Sequence, residues 1–130
     1  MKKPYPQLEA QGIVDKKVLR AVRNLPRQLF VPEDYRASAH VDSALPIECG
    51  QTISQPFIVA YMTEKLTLRG IDKVLEIGTG SGFQTAVLAQ LVSEVYTIEI
   101  YAKLSQQAQK LLDKLGYQNV KYRVGDGKLG

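Results

Sequence analysis

Residues 78–82 read Gly-Thr-Gly-Ser-Gly, a stretch that drops its side chain at every second position. It stands between an apolar run at 73–78 and a helix-like run at 83–92. Glycine tolerates left-handed backbone and lets another molecule press against bare amides, as a nucleotide-binding turn between strand and helix requires. Gly78 and Gly80 suit the tight turn and the close approach, with Thr79 and Ser81 between them; Gly82 suits packing of the helix near the strand. By itself such a turn is compatible with an ordinary strand–helix loop. Two acidic residues add to it. Glu99 lies 21 residues beyond Gly78 (99 − 78) and interrupts the apolar run "VYTIEI". That offset is near the roughly 20 residues at which a carboxylate accepts hydrogen bonds from ribose hydroxyls in dinucleotide folds. Asp126, in "VGDG", closes a third strand on the same carboxyl edge, where ligands of open α/β sheets bind.

The kind of ligand follows from what flanks the glycines. A pyrophosphate cofactor favours Gly-x-Gly-x-x-Gly, with a helix N-terminus aimed at phosphate. Here the third glycine comes one residue sooner and Glu76 precedes the run, giving Glu-x-Gly-x-Gly-x-Gly. A carboxylate beside the loop repels phosphate and suits an ammonium or sulfonium group, so S-adenosylmethionine is favoured, with a dinucleotide as the alternative. There is no Gly-Lys-Ser/Thr, which excludes a phosphate-cradling P-loop.

The elements that must position these residues form two regions, 1–70 and 71–130. In the first, the spacing of Ile13, Val14, Val18, Leu19, Val22 and Leu25 predicts a helix over 12–25, closed by Pro26. Pro32 is placed at the first position of a short helical turn, and 44–56 reads as an ordered loop. A second helix starts at Gln55, with Ser54 at its N-cap, Pro56 at or near N1, and Ile58, Met62 and Leu66 on one stripe with Val59 and Tyr61 beside it. In the second region, strands at 73–78 and 94–100 and a third strand followed by a loop over 119–127 alternate with helices at 83–92 and 101–116. The latter turns Leu104, Ala108, Leu111, Leu112 and Leu115 inward and ends on Gly116 as C-cap. Such β-α-β-α-β order implies a parallel sheet with right-handed crossovers, hence a Rossmann-like α/β fold.

Composition narrows the class. A chain of 130 residues, 45% hydrophobic and 23% charged, has the make-up of one globular unit. The net charge of +4 is spread out, without the basic stripe that nucleic-acid binding needs. No apolar run reaches the ~18–20 residues of a membrane span, and the first ten residues lack a signal core. A single cysteine, Cys49, excludes an internal disulfide and suits a reducing, cytoplasmic setting. No metal site is expected. The lone histidine, His40, has no motif around it, so no Ser-His-Asp triad is expected.

With these residues in place, the chain resembles the protein-L-isoaspartate O-methyltransferases. The likeness is carried by "LPIECGQTISQPFIVAYMTEKL" (45–66), "VLEIGTGSGFQTAVLAQL" (74–91), "YRVGDG" (122–127) and the lead-in "LPRQLFVPEDYRASAHVDSALPI". The resemblance implies a methyltransferase with S-adenosylmethionine as cofactor and isoaspartyl residues of damaged proteins as substrate, in protein repair. It makes Ser54 the active-site serine, with Gln51, Thr52 and Ile53 beside it on cofactor and substrate. It makes Gly78, Gly80 and Gly82 the cofactor loop, Glu99 the ribose ligand, and Asp126 with Gly127 the adenine-side loop. Glu48 and Cys49 depart from the family's pattern, where a glycine and an aromatic or polar residue are common. Members also continue beyond position 130, so the chain is expected to be a fragment holding the first part of the sheet. Exposed sheet edges would then favour self-association. The alternative is a non-catalytic relative that binds the cofactor or serves as an interaction module.

Overall fold

The computed structural model describes residues 4–127. In chain order the elements are α1 (Lys16–Arg23), 3₁₀ turns at Arg27–Phe30 and Glu33–Ser38, β1 (Leu45–Pro46), a 3₁₀ turn at Glu48–Gly50, and β2 (Thr52–Ile53). Then come α2 (Pro56–Lys65), β3 (Lys73–Ile77), α3 (Phe83–Ala89), β4 (Glu94–Glu99), α4 (Ala102–Lys114) and β5 (Val120–Val124).

The first region departs from its expected outline in several places. α1 is shorter than 12–25 because Asp15 caps it, accepting hydrogen bonds from the Lys17 and Val18 amides at 2.8 and 3.4 Å. A short carboxylate at that position satisfies the first-turn amides and leaves residues 12–15 outside the helix. Ile13 is buried while Val14 is exposed, and the Val14 and Asp15 amides donate to Glu64 Oε2 on α2 at 2.8 and 2.7 Å. Pro32 stands just ahead of its 3₁₀ turn, at the capping position instead of the first helical one. The loop expected over 44–56 contains a minimal antiparallel ribbon, with Leu45 opposite Ile53 and Pro46 opposite Thr52.

α2 begins with Pro56 at N1, but Gln55, not Ser54, is its N-cap residue. The capping acceptor comes from 15 residues upstream: Asp42 Oδ1 receives the Phe57 amide at 2.9 Å, and Asp42 Oδ2 receives Gln55 Nε2 at 3.0 Å. Ser54 therefore has no capping role. The stripe of Ile58, Met62 and Leu66 faces outward with Tyr61, whereas Val59 beside it is buried together with Pro56, Ala60 and Thr63. Small side chains let α2 lie close to α1. Thr63 satisfies its buried hydroxyl by donating to the Val59 carbonyl (2.7 Å) and accepting from Gln84 Nε2 (2.9 Å).

The second region follows its expected order. β3, β4 and β5 form a parallel sheet in that sequence, with Ile77 opposite Ile98 and Glu99 opposite Val124. Successive right-handed crossovers in one direction put α3 and α4 on the same face. Strand alternation turns Val74, Glu76, Val95, Thr97, Val120 and Tyr122 toward that face and Leu75 and Ile77 toward the other. Leu75 and Ile77 are 58% and 59% exposed, so the second face stands largely uncovered among the described residues. One core joins the two regions, running from Tyr5, Leu8 and Val22 through Phe30 to Phe83 and Val87 on α3 and Leu112 on α4. The Phe30 and Phe83 rings meet edge to face at 5.3 Å within it. α4 buries Leu104, Ala108 and Leu112 as expected, with Leu111 and Leu115 partly covered. Its C-cap is Leu115, one residue earlier than expected, and Gly116 after it takes the left-handed turn at φ +94°.

Candidate active site

All three glycines of the turn are left-handed, at φ +95°, +56° and +89° for Gly78, Gly80 and Gly82. Their surroundings differ. A Cβ placed on Gly78 or Gly80 would meet nothing within 4 Å, whereas one on Gly82 would press on Ala108 Cβ at 3.0 Å and Leu112 Cδ1 at 3.1 Å. Gly82 thus admits α4, and not the strand as its expected role had it. Gly78 and Gly80 leave their backbone open to an incoming group. The turn is pinned at both ends: Gly78 N–H donates to the Ile98 carbonyl at 2.7 Å, and Gly82 N–H to the Thr79 carbonyl at 2.9 Å.

Glu99 sits at the carboxyl end of β4, 5% exposed. Its Oε1 accepts from Gly80 N–H at 2.8 Å and its Oε2 from Tyr101 N–H at 3.0 Å. An ionised carboxylate offers about four lone-pair sites, so the two backbone bonds do not exhaust it. Glu76, expected beside the loop and toward the ligand, instead lies beneath it. Two residues before Gly78 on β3, it faces the helices, where its Oε1 accepts from Thr97 Oγ1 at 2.7 Å and from Thr85 Oγ1. Thr97 Oγ1 is also 2.6 Å from Thr79 Oγ1. Burial pushes the Glu76 carboxyl up to about 7; the threonine hydrogen bonds act downward and the charge of Glu99 upward.

The segment ahead of α2 meets the glycine turn around a hollow of about 80 Å³, walled by Thr52, Ile53, Ser54, Val59, Gly78, Thr79, Gly80, Ser81, Phe83 and Gln84. Seven of the residues expected at the site are therefore together: Thr52, Ile53, Ser54, Gly78, Thr79, Gly80 and Ser81. Glu99 joins them through the Gly80 amide. Gln51 stays outside, its side chain donating to the Cys49 carbonyl at 3.3 Å. Asp126 is exposed beyond β5, and Gly127 packs on the Ile77 side chain. A larger hollow of about 410 Å³ lies at the opposite end of the sheet, among residues such as Arg20, Asn24, Gly70 and Gln90, so size does not mark the chemistry here.

Sequence reasoning missed the residue that shapes the Ser54 segment. Arg27, wholly buried, donates to the carbonyls of Ala39 (2.7 Å), Val41 (3.1 Å), Ser43 (2.7 Å) and Ser54 (3.2 Å). Burial draws its guanidinium below the ordinary value, opposed by Tyr5 and Asp42. Burial would raise the Asp42 carboxyl, but the Phe57 amide and the side chains of Gln55, Gln7 and Gln11 outweigh that and hold it below the usual range. Nothing in a lone arginine or aspartate of a loop signals such bonding in advance. Among the described residues, no group of His, Cys, Asp and Glu could hold a metal ion, and no helix is long and apolar enough to cross a membrane.

The family model described as "Protein-L-isoaspartate(D-aspartate) O-methyltransferase (PCMT)" matches residues 2–130. The chain belongs to this family. It is 59% identical over 124 residues to protein-L-isoaspartate O-methyltransferase 2 of Shewanella sediminis, covering 95% of this chain and 51% of that protein. A solved protein-L-isoaspartate O-methyltransferase superposes with a TM-score of 0.79 at 29% identity, covering 92% of this chain and 40% of the other. A Plasmodium falciparum protein described by the same activity and solved with S-adenosyl-L-homocysteine gives 0.75 at 21% identity, covering 94% and 62%. The chain spans about half the length of the curated relatives it matches.

Proposed function

We propose that this chain carries the cofactor-binding part of a protein-L-isoaspartate O-methyltransferase. In this reading it takes S-adenosylmethionine and contributes Ser54 to the transfer of a methyl group onto the α-carboxylate of L-isoaspartyl residues in damaged proteins. The observation that carries the reading is the meeting of Thr52, Ile53 and Ser54 with the open glycines Gly78 and Gly80 around one hollow. The residues suit the cofactor: two glycines whose missing Cβ atoms leave room, a carboxylate at the rim with acceptor capacity beyond Gly80 and Tyr101, and no lysine in the turn to attract phosphate.

Bound there, S-adenosylmethionine supplies an electrophilic methyl on a sulfonium. An ionised carboxylate is already a nucleophile at neutral pH, so the chain has mainly to orient it and exclude water. Ser54, by hydrogen bonding, holds the substrate carboxylate without becoming a covalent nucleophile. Arg27 keeps the Ser54 backbone in place from beneath. Glu99 accepts the ribose hydroxyls, the Gly78–Gly80 backbone lines the cofactor's path, Gln51 shapes the turn before Thr52, and Asp126 with Gly127 borders the adenine. The single thiol suits a cytoplasmic setting.

Calorimetry with S-adenosylhomocysteine and methyl transfer to an isoaspartyl peptide test this reading. Glu99→Ala should weaken cofactor binding about tenfold or more, a loss of roughly 1.4 kcal/mol. Ser54→Ala should lower turnover more than affinity. Equal affinity in wild type and Glu99→Ala removes the ribose assignment, and no uptake at millimolar concentration removes the cofactor. A separate proposal concerns partners: the bare face at Leu75 and Ile77, beside a β3 edge that pairs with no described strand, drives the 130-residue chain to self-associate. Sedimentation should then show species larger than a monomer, reduced by Ile77→Lys; a monomer at all concentrations contradicts it.

A further inference from the structure

We propose that Glu76 is a positioning residue for the glycine turn: through Thr97 its carboxylate fixes the Thr79 hydroxyl, and with it the Gly78–Gly80 backbone that a ligand meets. The functional meaning rests on the cofactor reading above; the geometry does not.

Glu76 and Thr97 are register partners on β3 and β4, so strand pairing itself brings carboxylate and hydroxyl together on one face. Thr79, Thr85 and Thr97 are all buried, at 3%, 0% and 0% exposure. No basic side chain is hydrogen-bonded to Glu76; the groups bonded to it are the hydroxyls of Thr97 and Thr85. With Glu76 ionised the direction is settled. A carboxylate only accepts, so Thr97 donates to it, and the Thr97 oxygen then accepts from Thr79. Thr79 is the one residue between Gly78 and Gly80, and neither glycine has a side chain by which it could be held. The turn is thus anchored twice. Glu99 takes the Gly80 amide at 2.8 Å from the rim, and the chain Thr79–Thr97–Glu76 secures the residue before it from below. The acidic residue ahead of the glycines acts on a ligand indirectly, by holding backbone.

Amide hydrogen exchange on the 130-residue chain without ligand tests this, comparing wild type with Glu76→Leu, Thr97→Val and Glu76→Gln. Losing the acceptor in Glu76→Leu, or the linking hydroxyl in Thr97→Val, should speed exchange at 78–82 about tenfold or more while β4 amides keep their protection. Glu76→Gln retains an acceptor oxygen and should stay within about threefold of wild type. Affinity for S-adenosylhomocysteine should follow the same ranking. Unchanged exchange at 78–82 in both Glu76→Leu and Thr97→Val overturns the proposal. So does uniform acceleration through β3–β5, or a Glu76→Gln that behaves as Glu76→Leu. If wild type takes up no S-adenosylhomocysteine, the cofactor reading fails and the exchange ranking alone decides this one.

Discussion

In β3, β4 and β5 the backbone is satisfied by neighbouring backbone, strand to strand in a regular register. Between residues 4 and 57 backbone bonding stays local, within short turns, α1 and the β1–β2 ribbon, and the long-range ties come from side chains reaching far along the chain. Arg27 gathers four carbonyls, Asp42 takes the Phe57 amide, and Glu64 takes the amides of Val14 and Asp15. Left-handed backbone divides in the same way. From β3 onward every described residue at positive φ is a glycine, while Tyr5, Cys49 and Thr67 bear it in the first part. A ladder spreads its free energy over many equivalent bonds, whereas a hub concentrates it in one residue. Single substitutions should therefore cost most in the first region, even though the second holds the regular sheet.

Arg27→Met should be the largest break. It leaves the carbonyls of Ala39, Val41, Ser43 and Ser54 without their donor, the bond to Ala39 being buried and the other three part-buried, and an unsatisfied buried group costs about 1–3 kcal/mol. We expect a loss of roughly 3 kcal/mol or more in urea unfolding, with amides at 39–57 exchanging faster. A loss below about 1 kcal/mol would mean that water replaces the guanidinium and the region has no hub.

Within the sheet region the strongest single effect should depend on pH. Glu76 faces Thr85 on α3, Thr97 and Glu99 on β4, and Tyr122 on β5, with no cation among them. Its carboxyl is raised from 4.5 to about 7. Between those values the folded chain holds a proton that the unfolded chain releases, so this group's contribution to stability falls as pH rises from 4.5 to about 7 and is level above. Glu76→Gln removes that slope. It should be more stable than wild type at pH 8, by up to about 3 kcal/mol at 1.36 kcal/mol per pKa unit, and equal to it near pH 4. Parallel stability–pH curves for the two proteins would show that Glu76 titrates normally.

Asp42→Ala tests the remote cap. Losing a capping carboxylate costs about 0.5–2 kcal/mol, and α2 should fray from Phe57. Ser54→Ala should leave α2 unchanged by circular dichroism. The reverse result would restore Ser54 to the capping position that its sequence context suggests.

What the sequence made legible divides along the same line. The β-α-β-α-β order, the limits of β3 and β4 to within a residue and the glycine turn were readable because each depends on local pattern: short apolar runs, punctuating glycines, amphipathic spacing. The buried face of α2 was not. "PFIVAYMTEKL" is apolar on all sides, so periodicity cannot choose a face. The choice falls on Val59, Ala60 and Thr63 because they are small enough for α1 to approach, a fact about its neighbour. The start of α1 at Asp15 was hidden because Ile13 and Val14 extend the apolar spacing ahead of the cap. At the site, the meeting of 52–54 with 78–81 is tertiary and became legible only through family likeness. The downward turn of Glu76 follows from strand alternation, once β3 is known to pack helices on one face.

The smallest effect should come from the turn that leads into Gln51. Cys49 holds φ +59° beside Gly50 at +68°. Left-handed backbone costs a residue with a Cβ roughly 1–2 kcal/mol. Glycine removes that strain but gives the unfolded chain more freedom, worth about 0.4–1 kcal/mol in the other direction. Cys49→Gly should therefore stabilise by a few tenths to about 1 kcal/mol, read by paired thermal melts in reductant. Cys49→Ala, which keeps the Cβ and drops the thiol, is the control that separates backbone from sulfur. Should Cys49→Gly melt below Cys49→Ala, the turn is unstrained as it stands. The contrast between a glycine-eased second region and a first region that carries its left-handed residues under load would then fail at the position nearest Ser54.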